Sequence, residues 1–119
     1  MKQFRRSSRL SGQILRDIST MMEGELSERL SGMITFTNVR LTDDLKYATI
    51  YYSVLGEDES RVKAADYFER EKKRIRHMVG KNLRMRFIPE FRFKYDPSVE
   101  EGMRIEQLLN EIKNNDSGE

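Results

Sequence analysis

Apolar positions along the chain fall into six periodic blocks. In residues 9–30, Leu10, Ile14, Ile18, Met21, Met22 and Leu26 recur at three- and four-residue steps, which predicts one amphipathic helix. Ser7 or Ser8 is placed to cap its start, and Gly32 to end it in a left-handed turn. Two strand patterns follow. In "ITFTNVRL" (34–41), Ile34 and Phe36 alternate with Thr35 and Thr37. The phase then slips by one, so that Val39 and Leu41 become the apolar pair. Such a slip predicts a β-bulge. After the turn residues "TDD", the segment "LKYATIYYSVL" has Tyr47 and Tyr51 on one face and Ala48, Ile50, Tyr52 and Val54 on the other. The short connection predicts an antiparallel hairpin.

Residues 57–79 have a helical pattern, with Val62, Ala65 and Phe68 expected on one face and Ile75 and Val79 further along. Between these groups the stripe fails at Lys72. An unbroken helix directs that ammonium towards the core, and burying it unpaired is costly. Three arrangements avoid the cost: the side chain snorkels, the helix leaves the core there, or it breaks into two helices with different faces. Gly80 is placed as the residue after its end. In "LRMRFIPEFRFKY" (83–95), Leu83, Met85, Phe87, Phe91, Phe93 and Tyr95 alternate with mostly polar residues. This predicts a third strand, interrupted at Pro89, with Arg84, Arg86, Arg92 and Lys94 on its other face. A last helix is expected next, capped by Asp96 with Pro97 at its first position or by a Ser98/Glu101 capping box, with Ile105, Leu108, Leu109 and Ile112 as its stripe. The expected class is therefore α+β, with helices over one face of a small sheet. The expected division is a basic N-terminal tail (1–7), a central domain (8–97) and a C-terminal helix with a frayed tail (98–119).

Charge changes this picture. The chain of 119 residues has 22 basic and 20 acidic side chains, but they are segregated. Residues 1–16 hold five bases and no acid, and residues 70–86 hold eight bases and one acid, leaving nine bases against nineteen acids elsewhere. Two basic blocks on an acidic background point to a polyanionic partner. Lys and Arg neutralise backbone phosphates and release counterions, which gives affinity with little sequence information. An acidic protein or an anionic membrane surface matches the same charge.

Enzymatic chemistry is poorly supplied. There is no Cys, hence no disulfide or thiolate metal site, and His77 is the only histidine. Asp43 and Asp44 are better explained by a hairpin turn than by acid/base catalysis. The seven glycines form no phosphate-cradling motif. No cofactor or metal is expected. No apolar run reaches the length of a membrane span, and the N-terminus lacks the apolar stretch of a signal peptide, so a cytoplasmic protein is expected.

The segment "IRHMVGKNLRMRFIPEFRFKYDPSVEEGMRI" (75–105) resembles the signature region of the ribosome-binding factor A family. The matching residues are Ile75-Arg76, Gly80-Lys81, Arg84 and Arg86, Pro89-Glu90, Phe93 with Asp96, and Gly102 before Arg104-Ile105. The hairpin "ITFTNVRLTDDLKYATIYYSVLG" (34–56) and the Arg-rich approach to the first helix resemble the family as well. The resemblance covers residues 5–109. It implies a type II KH-like fold, α-β-β-α-α-β, with a three-stranded sheet. It also implies a non-enzymatic assembly factor that binds the free small (30S) ribosomal subunit through its rRNA. Such a factor assists late maturation, including the rRNA 5′ end, notably in the cold. A monomer with no membrane or DNA partner is expected. The family lacks the usual G-x-x-G of KH domains and typically has a small-x-Gly kink instead, where this chain has Glu71, Lys72 and Lys73. The candidate phosphate contacts are Arg5, Arg6, Arg9, Lys72, Lys73, Arg74, Arg76, Lys81, Arg84 and Arg86, with Arg76, Lys81 and Arg84 directly matched. The competing expectation is an adaptor whose basic face meets an acidic protein.

Overall fold

The computed structural model describes residues 2–117, with side chains for residues 6–114. The elements run α1 (Lys2–Arg29), β1 (Met33–Leu41), β2 (Tyr47–Leu55), α2 (Asp58–Gly80), β3 (Glu90–Tyr95) and α3 (Ser98–Ser117). The sheet order is β1-β2-β3. β1 and β2 are antiparallel, while β3 returns parallel to β2 after the α2 crossover. This is the expected α+β arrangement, consistent with the KH-like order except that the two middle helices are one continuous helix.

The stripe of α1 is as the spacing requires: Ile14, Ile18, Met22 and Leu26 are buried. The helix starts at Lys2, so Arg5, Arg6 and Arg9 ride on α1 and not on a tail ahead of it, and neither Ser7 nor Ser8 caps its start. The bulge falls where the apolar phase slips. Phe36 pairs with Tyr52 and Asn38 with Tyr51, leaving Thr37 extra. Its hydroxyl donates to Asp96 Oδ2 (2.7 Å), while Asp96 Oδ1 accepts the Ser98 amide at the start of α3 (2.9 Å). The bulge and the helix cap thus share one carboxylate, and the Ser98 and then the Thr37 hydrogen bonds hold that carboxyl below its usual range.

The expected face of α2 requires correction. Val62 is 70% exposed and Ala65 is exposed, whereas Ser60, Ala64, Tyr67, Phe68, Ile75 and Val79 are buried. Ser60 and Tyr67 are tolerated because their polar tips are satisfied. The Ser60 hydroxyl hydrogen-bonds that of Ser31 (3.1 Å), and the Tyr67 hydroxyl donates to Glu25 of α1. Phe68 anchors the core, stacked on Phe93 with ring centres 4.7 Å apart and packed against Tyr52 (4.6 Å) and Phe36 (5.7 Å). Glu71 and Lys72 occupy the next turn of the stripe, half-buried. Lys72 does not enter the core unpaired: its ammonium reaches Glu69 at 2.6 Å. The first of the three arrangements is therefore realised, and α2 does not break.

β3 is shorter than the alternation suggests. It starts at Glu90, so Arg84 and Arg86 lie on an irregular loop (81–89) and not on a strand face. α3 contacts β2 only lightly. Ile105, Leu108, Leu109 and Ile112, between 52% and 59% exposed, leave its predicted stripe uncovered.

Candidate nucleic-acid interface

The loop between α2 and β3 is a folded presentation of charge. At its start, Asn82 and Leu83 amides donate to the Val79 and Gly80 carbonyls (both 3.1 Å), and Leu83 is buried. The Asn82 amide group also contacts Met21 Sδ of α1 at 3.4 Å. At its end, the Glu90 amide donates to the Lys46 carbonyl (2.8 Å). Pro89 is fully buried. Arg76, on the last turns of α2, donates from Nε to the Pro89 carbonyl (2.9 Å) and from Nη2 to the Ile88 carbonyl (2.6 Å). The planar guanidinium suits this two-carbonyl clamp as an ammonium does not. A Cβ on Gly80 would sit 3.1 Å from Ile88, so the loop returns close against the helix end.

Between these fixed ends Lys81, Arg84, Arg86 and Phe87 face solvent. Phe87 is 76% exposed, with the Arg86 guanidinium 5.7 Å from its ring centre. Its alternation predicted an inward strand residue. The loop places it outward, beside Arg86. Among the described residues Lys73, Lys81, Arg84 and Arg86 form no ion pair. These four cations have no intramolecular competitor for a phosphate.

Other members of the basic run are engaged within the chain. Arg74 binds Glu25 (2.5 Å) and Glu71 (2.6 Å), and Arg70 binds Asp66 (3.0 Å). The hydrogen bonds to Glu25 and then Glu71 raise the Arg74 pKa further above its ordinary value. Burial raises the Tyr67 phenol to about 12, and its hydrogen bond to Glu25 acts in the same direction, so it remains a donor at neutral pH. Glu25, Tyr67, Glu71 and Arg74 form a network that ties α1 to α2. The helix pattern could not show it, because Glu25 and Arg74 are 49 positions apart.

Arg6 and Arg9 are exposed, but Arg9 is twelve residues from the loop's contact at Met21, or about 18 Å along α1. They make a second patch separate from the loop. The side chain of Arg5 lies outside the described residues. His77 is exposed, and among the described residues no group of three metal-ligating side chains assembles. No helix among them is long and apolar enough to cross a membrane.

The family model for ribosome-binding factor A matches residues 6–109. A ribosome-binding factor A from Geobacter sulfurreducens is 43% identical over 110 residues, covering 92% of this chain and 93% of the relative. The crystal structure of ribosome-binding factor A from Thermus thermophilus superposes with a TM-score of 0.64 at 24% identity, covering 75% of this chain and 94% of the other. Thermus thermophilus coordinates fitted into a cryo-EM map of a 30S complex give a TM-score of 0.59 at 22% identity, covering 73% and 91%.

Proposed function

Because the chain belongs to the ribosome-binding factor A family, we propose that it is a non-enzymatic assembly factor of the small ribosomal subunit, docking on rRNA phosphates in the cytoplasm. The observation that carries this reading is the pinned loop 81–89, which holds Lys81, Arg84 and Arg86 unpaired beside an exposed Phe87. A backbone pinned at both ends has little freedom left to lose when its cations meet phosphates, and an outward aromatic ring offers a stacking surface for an unpaired base. The related Thermus protein fitted into a 30S complex supports the small subunit as the target. Lys73, Arg6 and Arg9 are candidate peripheral contacts. Arg76 acts through the loop by clamping it, while Lys72 and Arg74 are held by carboxylates. The factor, a monomer, holds a maturing rRNA segment in place during late assembly, including 5′-end processing, and is most needed in the cold.

Co-sedimentation with isolated 30S subunits across a salt series tests this. Each lost phosphate contact lowers the log–log salt slope by about 0.7 to 0.9, so the triple variant Lys81→Ala/Arg84→Ala/Arg86→Ala is expected to lose roughly 2 to 3 in slope. An unchanged slope refutes docking through the loop. Retention on a subunit protein after nuclease treatment favours the adaptor reading instead. In a strain lacking the factor, accumulation of 5′-extended precursor rRNA at low temperature is the expected result.

A further inference from the structure

The sheet has a second face that α1 and α2 leave open. Strand alternation, reset by the bulge, places Arg40 of β1, Tyr47, Thr49 and Tyr51 of β2, and Arg92 and Lys94 of β3 on it. The register aligns Arg40, Thr49 and Arg92 in one row, and Asn38, Tyr51 and Lys94 in the next. The two tyrosines are half-buried, and the three cations are exposed. The Arg92 guanidinium lies 3.9 Å from the Tyr47 ring centre and that of Arg40 lies 5.9 Å from Tyr51. Among the described residues none of the three cations has an ion-pair partner. The single acid within these strands on this face is Glu90, level with Tyr47. The neighbouring Asp96 carboxylate is already committed to Ser98 and Thr37.

An ordinary solvated sheet face mixes charges of both signs, because like charges on adjacent strands repel. Here three cations and two aromatic rings share a face. We propose that this open face is a second RNA-binding surface, distinct from loop 81–89, which takes an unpaired stretch of RNA. Arg40 and Arg92, which lie over the Tyr51 and Tyr47 rings in the free chain, turn with Lys94 to meet its phosphates, and the two rings stack its bases. The two rings are four residues apart on one strand, or about 13 Å. A base within a duplex is covered on both faces by its neighbours, so stacking on either ring needs a base drawn out of such a stack. That requirement selects single strands over duplex.

This inference goes beyond subunit docking and is measured without subunits. The full chain, isotope-labelled, is titrated with a ten-nucleotide oligouridine and, separately, with an RNA hairpin lacking unpaired ends. The oligouridine is expected to shift amide signals of β1, β2 and β3 at the open-face residues and to bind more tightly than the hairpin. Tyr47→Leu and Tyr51→Leu are each expected to weaken it about tenfold. Tyr47→Phe and Tyr51→Phe, which keep the ring, should retain binding and control for folding. The loop variant Lys81→Ala/Arg84→Ala/Arg86→Ala should still bind oligouridine. Signal changes confined to residues 81–89, hairpin binding as tight as oligouridine, or equal binding of a polyglutamate peptide would each overturn the proposal.

Discussion

Arg76 carries the sharpest test, because its charge suggests one role and its geometry another. As a phosphate contact, its loss should weaken RNA binding and leave stability intact. As the clamp on Ile88 and Pro89, its loss should release the end of loop 81–89. Two charge-assisted hydrogen bonds are at stake, at 2.9 and 2.6 Å. Bonds to charged groups contribute about 1.5 to 3 kcal/mol each, but Arg76 is only partly buried and water replaces some of the loss. A net cost of about 2 kcal/mol for Arg76→Ala follows. Unfolding entropy near 2.1 cal/mol/K per residue gives about 0.25 kcal/mol/K for this chain, so the melting temperature should fall by roughly 8 °C. Arg76→Lys should lose about half as much, because an ammonium reaches two carbonyls poorly. Thermal unfolding followed by circular dichroism reads both variants, with Lys81→Ala as a control that should melt like the parent. If Arg76→Ala melts within about 2 °C of the parent yet binds subunits as weakly as Lys81→Ala, the clamp assignment is refuted and the residue is a phosphate contact.

Three further outcomes are expected. Phe87→Ala should leave stability within about 0.5 kcal/mol, because the ring is 76% exposed, yet weaken subunit binding; equal binding by parent and variant would remove the ring from the interface. Gly32 has φ +84°, and a Cβ there would lie 2.8 Å from the Leu55 carbonyl oxygen, so Gly32→Ala should destabilise by roughly 1 to 3 kcal/mol in chemical denaturation. Burial pushes the Glu25 carboxyl up, but hydrogen bonds from Arg74 and Tyr67 outweigh it and leave its pKa below the ordinary 4.5. A folded-state pKa lowered in this way stabilises fully above about pH 4.5 and is lost as pH falls through the lower folded value. Glu25→Gln should therefore unfold more easily at neutral pH and show a smaller further loss below pH 4.5. Parallel denaturation curves at pH 7 and pH 3 check this, and an undiminished acid loss in the variant would contradict it.

Loop 81–89 shows where local pattern stopped being informative. The alternation from Leu83 to Phe87 has strand period, yet no strand forms there. Arg76 takes the Ile88 and Pro89 carbonyls and Pro89 has no amide to donate, so pairing with β2 starts at Glu90. α2 shows the same limit in another form. Val62 and Ala65 looked like core by their chemistry, but Ser60 and Tyr67 are buried because Ser31 and Glu25 satisfy their hydroxyls from distant positions.

By itself the sequence determined what depends on neighbours in the chain. The stripe of Ile14, Ile18, Met22 and Leu26, the bulge at Thr37, the capping of α3 by Asp96, and the ordered motifs of the family are all local, because helix and strand periods act over a few residues. It also located the positive charge. The tertiary structure alone decided which of those charges remain available. Lys72 and Arg74 are consumed by carboxylates and Arg76 by carbonyls, while Lys81, Arg84 and Arg86 are held free. Charge is a property of composition, whereas an unpaired charge is a property of what the fold brings within hydrogen-bonding distance.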